Sequence, residues 1–297
     1  MSDSIAEFEH YLRDVRPVAR NTLDSYLRDV RRFRAFAESR GLREPSDVSC
    51  EVVGEYADAL RRENKSGATV IRNVASIRCF YRFLIAEGQA SANPAKQVVL
   101  EKPEKKSPQI LSGKEIELFL SQPDASGLKG CRDKAMLELL YATGIRVSEM
   151  VALDLEDFDA GAGILRCAHS KAYREIPIYS SAVAAVSDYL VRARSAMLSP
   201  DGGQALFVNR SGKRMTRQGF WKIVKGYAKQ VRISKKITPH MLRHSFALHL
   251  LENGAELKDI QAMLGYADIS SAQVYARLRN DHFKEVYRQC HPRAKLD

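Results

Sequence analysis

From Asn93 to Glu115 the chain reads NPAKQVVLEKPEKKSPQILSGKE, with three prolines, charges of both signs and no helical or strand periodicity. Such a run cannot be threaded through a core, because proline removes amide donors and the remaining backbone polar groups need water. It cuts the chain in two. With 297 residues, and about 150 residues to an ordinary domain, each side is long enough to bury a core of its own. The expected layout is a domain over 1–97, a linker over 98–110 with the break near Lys105, and a second domain over 111–297.

Ahead of the break the pattern is helical throughout. Residues 19–39 carry Leu23, Tyr26, Leu27, Val30 and Phe33 at helical spacing, with Asn21 as the expected N-cap. Ser66 to Glu87 repeats the pattern with Val70, Val74, Ile77, Phe80, Tyr81 and Leu84, and Gly88 ends it. Helices are also expected over Ile5–Val15 and Cys50–Glu63. Behind the break Leu111–Leu120 and Cys131–Ala142 read as helices, and Ile164–Cys167 and Glu175–Ile178 as two short strands joined by a polar tip. Thr238-Pro239 is a helix start, Asn253-Gly254 a stop, and Gly265 closes a short helix over Leu257–Leu264. A further helix begins near Ser270 and carries Tyr275. The fold class expected is mainly α: a helical N-terminal domain followed by a mostly helical domain with a small antiparallel sheet.

Charge narrows the partners. The 47 Lys+Arg exceed the 36 Asp+Glu by 11, and residues 201–250, with eleven basic residues and one acidic, hold almost all of that excess. The stretch interleaves its cations with Phe220, Trp221, Ile223, Val224 and Tyr227, so it reads as a folded helix with a basic side facing a polyanion. No apolar run is long enough for a membrane span, and the first residues lack a basic segment followed by an apolar one. Five scattered cysteines without a C-x-x-C pair fit reduced thiols in a cytoplasm. His240 and His244 stand four apart, as on a zinc helix, but H-M-L-R-H lacks the glutamate of H-E-x-x-H and a third ligand, so no metal is expected. No G-x-x-x-x-G-K-[ST] run is present to bind a nucleotide, so no cofactor is expected.

Two strings carry most of the information: TGIRVSEMVAL from Thr143 to Leu153, and PHMLRHSFALHLLENGAELKDIQAMLGYADISSAQVYARL from Pro239 to Leu278. With an Arg in T-G-x-R-x-S-E, an H-x-x-R and a Tyr about thirty residues on, the chain resembles the tyrosine recombinase family. The N-terminal bundle is similar to that family's core-binding domain, and the ending HPRA, His291 to Ala294, resembles its Xer branch. The resemblance implies that Tyr275 is the nucleophile, that Arg146 and Arg243 hold the scissile phosphate, and that His240 activates the phenol or binds the phosphate. It also implies a metal-independent and ATP-independent exchange, since a 3'-phosphotyrosyl bond stores the energy of the broken phosphodiester. The chemistry suits these residue types: guanidiniums stay protonated at any cellular pH and grip phosphate bidentately, whereas a phenol of ordinary pKa about 10 needs help to ionise.

Two positions depart from the family pattern. The hairpin lysine that protonates the leaving 5'-oxygen in relatives falls on His169 when RCAHSKAYREIPI is aligned on Arg174 to Pro177, with Lys171 two residues on. Lys171 is the expected acid and His169 its substitute. Where relatives read L-G-H, this chain reads Leu264-Gly265-Tyr266, so Tyr266 takes the place of a phosphate-contacting histidine and weakened cleavage is expected. Glu149 is read as a helper that orients Arg146 or caps a helix.

The partner implied is a double-stranded DNA recombination site. It would be contacted by Arg28, Arg31, Arg32 and Arg72 from the first domain, and by Lys213, Arg214 and Arg217 from the basic window. Family likeness further implies a homo- or hetero-tetramer on DNA, a second recombinase, and activation by a DNA translocase of the FtsK type. It places the protein in the cytoplasm on the nucleoid, with no membrane. The segment Phe283 to Cys290 would dock on a neighbouring protomer or on the chain's own core. Resolution of chromosome or plasmid dimers is the expected task. A mobile-element integrase and a catalytically weakened DNA-binding or architectural relative are the alternatives.

Overall fold

The structure, a computed structural model, describes residues 2–101, 108–167, 173–266, 268 and 272–276. The chain separates into two compact units, Met1–Lys106 and Ser107–Asp297. His169, Lys171, Ser270 and the C-terminal segment around Phe283 to Cys290 lie outside the described residues.

The first unit is built from α1 (Ser2–His10), which runs on as a wider π-helical turn over Tyr11–Val15, then α2 (Arg20–Glu38), α3 (Cys50–Arg62) and α4 (Gly67–Ala86). α2 packs against α4, and the apolar stripes expected from the sequence face inward: Leu27, Val30 and Phe33 meet Val70, Val74, Ile77 and Leu84 in one core. Phe8 completes it, edge-on to Phe80 at 5.2 Å between ring centroids. Each such side chain contributes about 1.5–3 kcal/mol by leaving water. Ser66 caps α4 by accepting the Thr69 amide, and Gly88, at φ +70, turns the chain away at its end. Asn21 is not the cap of α2. The Ala19 carbonyl already takes the Thr22 and Leu23 amides, so the helix is under way before Asn21, whose carbonyl accepts from Ser25 inside it.

The second unit opens with α5 (Gly113–Leu120), which begins in a capping box between Ser112 and Glu115. α6 (Leu128–Thr143) follows and is buried on nearly every side, including its Arg132–Asp133 pair at 2.6 Å. A helix covered all round is a central strut, and the rest of the unit assembles on it. α7 (Val147–Ala152) leads into β1 (Phe158–Asp159), β2 (Ile164–Arg166) and β3 (Glu175–Pro177). These make an antiparallel sheet in the order β1-β2-β3, with Leu165 opposite Ile176 and both fully buried. β1 is two residues long, too short to show any alternation. α8 (Ser180–Asp188), a π-helical stretch over Tyr189–Arg194 and the short α9 (Ser195–Met197) form one continuous rod. Then come α10 (Arg217–Gln230), α11 (Pro239–Glu252), α12 (Leu257–Leu264) and a last helical turn over residues 273–276. Thr238 accepts the Met241 amide and Pro239 stands at the first helical position, which fixes where α11 starts. Among the described residues no helix is long and apolar enough to cross a membrane.

Candidate active site

The last turn of α12 gathers three arginines from three other elements. Its final carbonyls have no helical partners of their own and carry the negative end of the helix dipole. Arg174 at the start of β3 donates from Nε to the Met263 carbonyl at 2.8 Å, Arg243 of α11 donates to Leu264 at 2.7 Å, and Arg146 ahead of α7 reaches Gly265 at 3.5 Å. Arg243 also donates to the Gly144 carbonyl at 2.6 Å, at the end of α6. Two helix C-termini therefore hold one guanidinium.

Both ends require glycine. Gly144 has φ +59, and a Cβ there would stand 2.3 Å from the Phe246 ring; Gly265 has φ +62, and a Cβ there would press on the Arg174 guanidinium at 2.9 Å. The T-G-x-R and L-G strings are thus geometric necessities of the arginine cluster.

One carboxylate is placed among these cations. Glu149, in the first turn of α7, accepts the Arg146 backbone amide at 2.8 Å and the Arg146 side chain at 3.3 Å, and takes Arg174 on both oxygens at 3.2 and 3.0 Å. It caps the helix and orients both arginines. Glu149 is buried, which raises its carboxyl, but its bonds to Arg174 and to the Arg146 amide outweigh that and leave it below the usual range. Burial pulls the Arg243 guanidinium below its ordinary value, and the charge of Arg146 adds to the pull, while Tyr266 and Glu149 work the other way. Three guanidiniums around one carboxylate leave uncancelled positive charge, the electrostatic description of an anion site.

Next to that charge lies a chain of hydroxyls. Tyr266 follows Gly265 directly, and its ring sits under Arg243 at 5.0 Å and Arg146 at 5.8 Å. Its hydroxyl is 3.0 Å from that of Tyr275, which is fully buried, and the same Tyr275 hydroxyl is 2.9 Å from Nδ1 of His244. Burial pushes the Tyr275 phenol well up, its bond with Tyr266 adds to this, and the charge of Arg243 opposes it. Burial also lowers His244, helped by His240 and Arg243.

The structure thus brings together Arg146, Arg243, Tyr266 and Tyr275. His240 is exposed near the start of α11, although it shares a helix side with the buried Arg243. Sequence reasoning passed over Arg174, which served only to align the hairpin, and His244, which was weighed only as a metal ligand. The signal for His244 was its place one helical turn beyond His240 and next to Arg243. Among the described residues no three His, Cys, Asp or Glu side chains gather as a metal site.

The residues proposed to touch DNA divide. Arg72 bonds the buried Asp29 at 2.9 Å, and Arg28 and Arg32 act on the same carboxylate through their charge, so these three share a face. Arg32 also pairs with Glu63, and Arg31 turns toward Glu9 of α1 at 3.5 Å. Arg214 donates to the Val151, Ala152 and Leu153 carbonyls and pairs with Asp154, which makes it the cap of α7. Arg217 is exposed at the start of α10, and Lys213 is exposed in the preceding turn.

Comparison with known proteins covers both units. Residues 109–282 match the phage integrase family, and residues 5–88 match the phage integrase N-terminal SAM-like domain. The chain is 41% identical over 298 residues to tyrosine recombinase XerD of Listeria monocytogenes serotype 4b (strain F2365), covering 99% of this chain and 100% of that protein. With tyrosine recombinase XerD of Halalkalibacterium halodurans it shares 39% over 296 residues, 99% of each. Among solved structures, the Tn1549 transposon integrase in complex with circular intermediate DNA superposes with a TM-score of 0.73 at 20% identity, over 92% of this chain and 94% of that one. The XerA recombinase does so at 0.55 and 24% identity, over 98% and 99%.

Proposed function

The chain belongs to the phage integrase family of tyrosine recombinases, and we propose that it cuts and rejoins a specific DNA site through Tyr275, as a Xer-type recombinase. The observation that carries this reading is the convergence of Tyr275 and Tyr266 on a hydroxyl pair beside Arg243, with Arg146 also stacked on the Tyr266 ring.

In this reading Arg146 and Arg243 hold the nonbridging oxygens of the scissile phosphate. Attack by the phenol adds negative charge to those oxygens, and fixed guanidiniums stabilise that charge more than they stabilise the ground state. Glu149 and the α12 carbonyls keep the pair in place, so little reorganisation is needed when charge develops. Tyr266 replaces a histidine but still offers a hydroxyl, and its ring supports both arginines. His240, exposed at the start of its helix, is free to reach a phosphate oxygen. Lys171, with His169 as its substitute, supplies the proton that lets the 5'-oxygen leave. A fully buried Tyr275 means that cleavage waits until DNA opens the site.

Affinity would come from phosphate contacts by Arg28, Arg32 and Arg72 on one unit and by Arg217, Lys213 and the cations of α10 on the other. Arg214 contributes through its hold on α7. The wider proposal is a cytoplasmic, nucleoid-associated recombinase that resolves chromosome or plasmid dimers. It would work as a tetramer with a second copy or a partner recombinase, under a DNA translocase.

The test is a nicked suicide substrate carrying the recombination site, read by denaturing electrophoresis. The wild type, with partners supplied, forms a covalent protein–DNA band, and Tyr275→Phe forms none while binding the site as before. A wild type that binds tightly and never forms the band would refute the enzymatic reading.

A further inference from the structure

We propose that Arg174 is a positioning residue for the phosphate-holding arginines: it neutralises Glu149, so that this carboxylate can orient Arg146 without cancelling the charge that Arg146 offers the scissile phosphate. The assignment rests on the recombinase reading above. Arg174 is engaged inside the protein. Its side chain is 9% exposed and all three of its nitrogens have partners, Nε the Met263 carbonyl at 2.8 Å and the two Nη the Glu149 oxygens at 3.2 and 3.0 Å. Its backbone is fixed too, since its carbonyl accepts the Cys167 amide at 2.9 Å where β2 and β3 come together.

Arg146 is the opposite case. Its side chain is 40% exposed, and its guanidinium meets Glu149 through one bond of 3.3 Å while its backbone amide donates to the same carboxylate at 2.8 Å. Ionised, Glu149 is the better acceptor for that amide and so fixes the start of α7. An ionised Glu149 with Arg146 as its one bonded cation would also cancel the charge that a phosphate needs. The fork from Arg174 removes this conflict, because two N–H bonds, one to each oxygen, satisfy the carboxylate and match its charge.

The charges then sort by position. A carboxylate between two guanidiniums leaves a unit of positive charge over, and of the two arginines Arg146 is the one open to solvent. The bonds concerned run between β3, α7 and α12. None involves Tyr275 or its helical turn, so withdrawal of the phenol from its buried place breaks none of them.

Arg174→Met leaves Glu149 with Arg146 as its remaining hydrogen-bonded arginine, and single-turnover cleavage of the suicide substrate at saturating DNA should fall by about 100-fold. Adding Glu149→Gln keeps an acceptor for the Arg146 amide and removes the charge, so it should restore cleavage by about tenfold. The discriminating substrate carries a methylphosphonate at the scissile position, where an uncharged methyl group replaces one nonbridging oxygen. Less charge has to be met there, so adding Glu149→Gln to Arg174→Met should change its cleavage by about twofold at most. A tie that merely holds β3 to α12 would give equal restoration on both substrates, and that result overturns the assignment. If Arg174→Met melts early, the double variant is compared with Glu149→Gln alone. With position 149 uncharged, loss of Arg174 should slow phosphodiester cleavage by no more than about threefold, and a larger loss refutes the proposed role. An Arg174→Met that cleaves at the wild-type rate also brings down this assignment, whereas a wild type without any covalent band brings down the recombinase reading itself.

Discussion

In the N-terminal unit Arg31, Arg32, Arg34, Arg40 and Arg72 meet Glu9, Glu63, Glu38, Glu55 and Asp29. At the site of the second unit Arg146, Arg174 and Arg243 meet three successive carbonyls, Met263 to Gly265, at the C-terminus of α12, with Glu149 as the carboxylate among them. A carboxylate cancels the charge it binds, whereas a carbonyl orients a guanidinium and leaves its charge intact. The first unit therefore places many arginines with little net field, and the second concentrates a field on one spot. Burial sharpens the contrast. Arg243 is 4% exposed and the side chain of Arg174 9%, while those of Arg31 and Arg72 are 56% and 41% exposed, and water and salt screen exposed charges far more; Arg146, at 40%, matches Arg72 in this respect.

The largest effect should come from the carbonyl-held arginine. Arg243→Met keeps much of the packed stem and removes the charge, and single-turnover cleavage at saturating DNA should fall by about 10³-fold or more. Arg72→Met, assayed identically, should leave the chemical step unchanged. Equal losses in the two variants would erase the distinction between the units.

The second effect is on stability and runs the other way. Asp29 is 2% exposed and accepts from Arg72 and from Ser76 at 3.0 Å. Burial raises its carboxyl above the ordinary 3.8, with Ser76 and then Arg72 pulling it down. Arg72→Met leaves this buried carboxylate short of a partner, and unfolding of the N-terminal unit should become easier by about 2 kcal/mol near neutral pH. The sign with pH follows from the raised value. Without Arg72 the carboxyl of the folded state rises further, so lowering the pH protonates Asp29 and the deficit shrinks toward 3.8. Denaturant melts at neutral and mildly acidic pH read this directly, and a deficit that grows on acidification would contradict it.

How much of this was legible in the sequence depended on whether a position obeys a local rule. Thr238, Gly88 and Gly265 obey capping rules and fell where expected, because a cap is decided by neighbours three or four residues away. Arg146, Arg243, Tyr266 and Tyr275 were recognised through motif order. Their convergence could not be read, since the contact between Arg243 and the Gly144 carbonyl spans 99 residues. Arg174 and His244 escaped for the same reason: each gains its meaning from a partner far along the chain, Glu149 for one and Tyr275 for the other. Asn21 shows the converse, a good capping residue overruled because the chain became helical before reaching it.

The smallest effect tests whether the first unit's arginines form one set. Arg28, Arg32 and Arg72 share the Asp29 face, whereas Arg31 spans to Glu9, which also holds Arg13 at 2.7 Å. An exposed pair of this kind is worth at most about 1 kcal/mol, so Arg31→Ala should barely move the melting temperature. It should also leave DNA affinity nearly unchanged, because a guanidinium committed to Glu9 releases few counterions from a phosphate. Arg28→Ala, which removes a guanidinium bonded to the Ser25 hydroxyl at 3.4 Å, should weaken binding and flatten the dependence of log affinity on log salt by about one unit. If Arg31→Ala flattens that slope as much as Arg28→Ala does, its bond to Glu9 is surrendered on DNA. Carboxylate pairing in the first unit would then be a resting arrangement, and the contrast with the carbonyl-held arginines would hold only for the free protein.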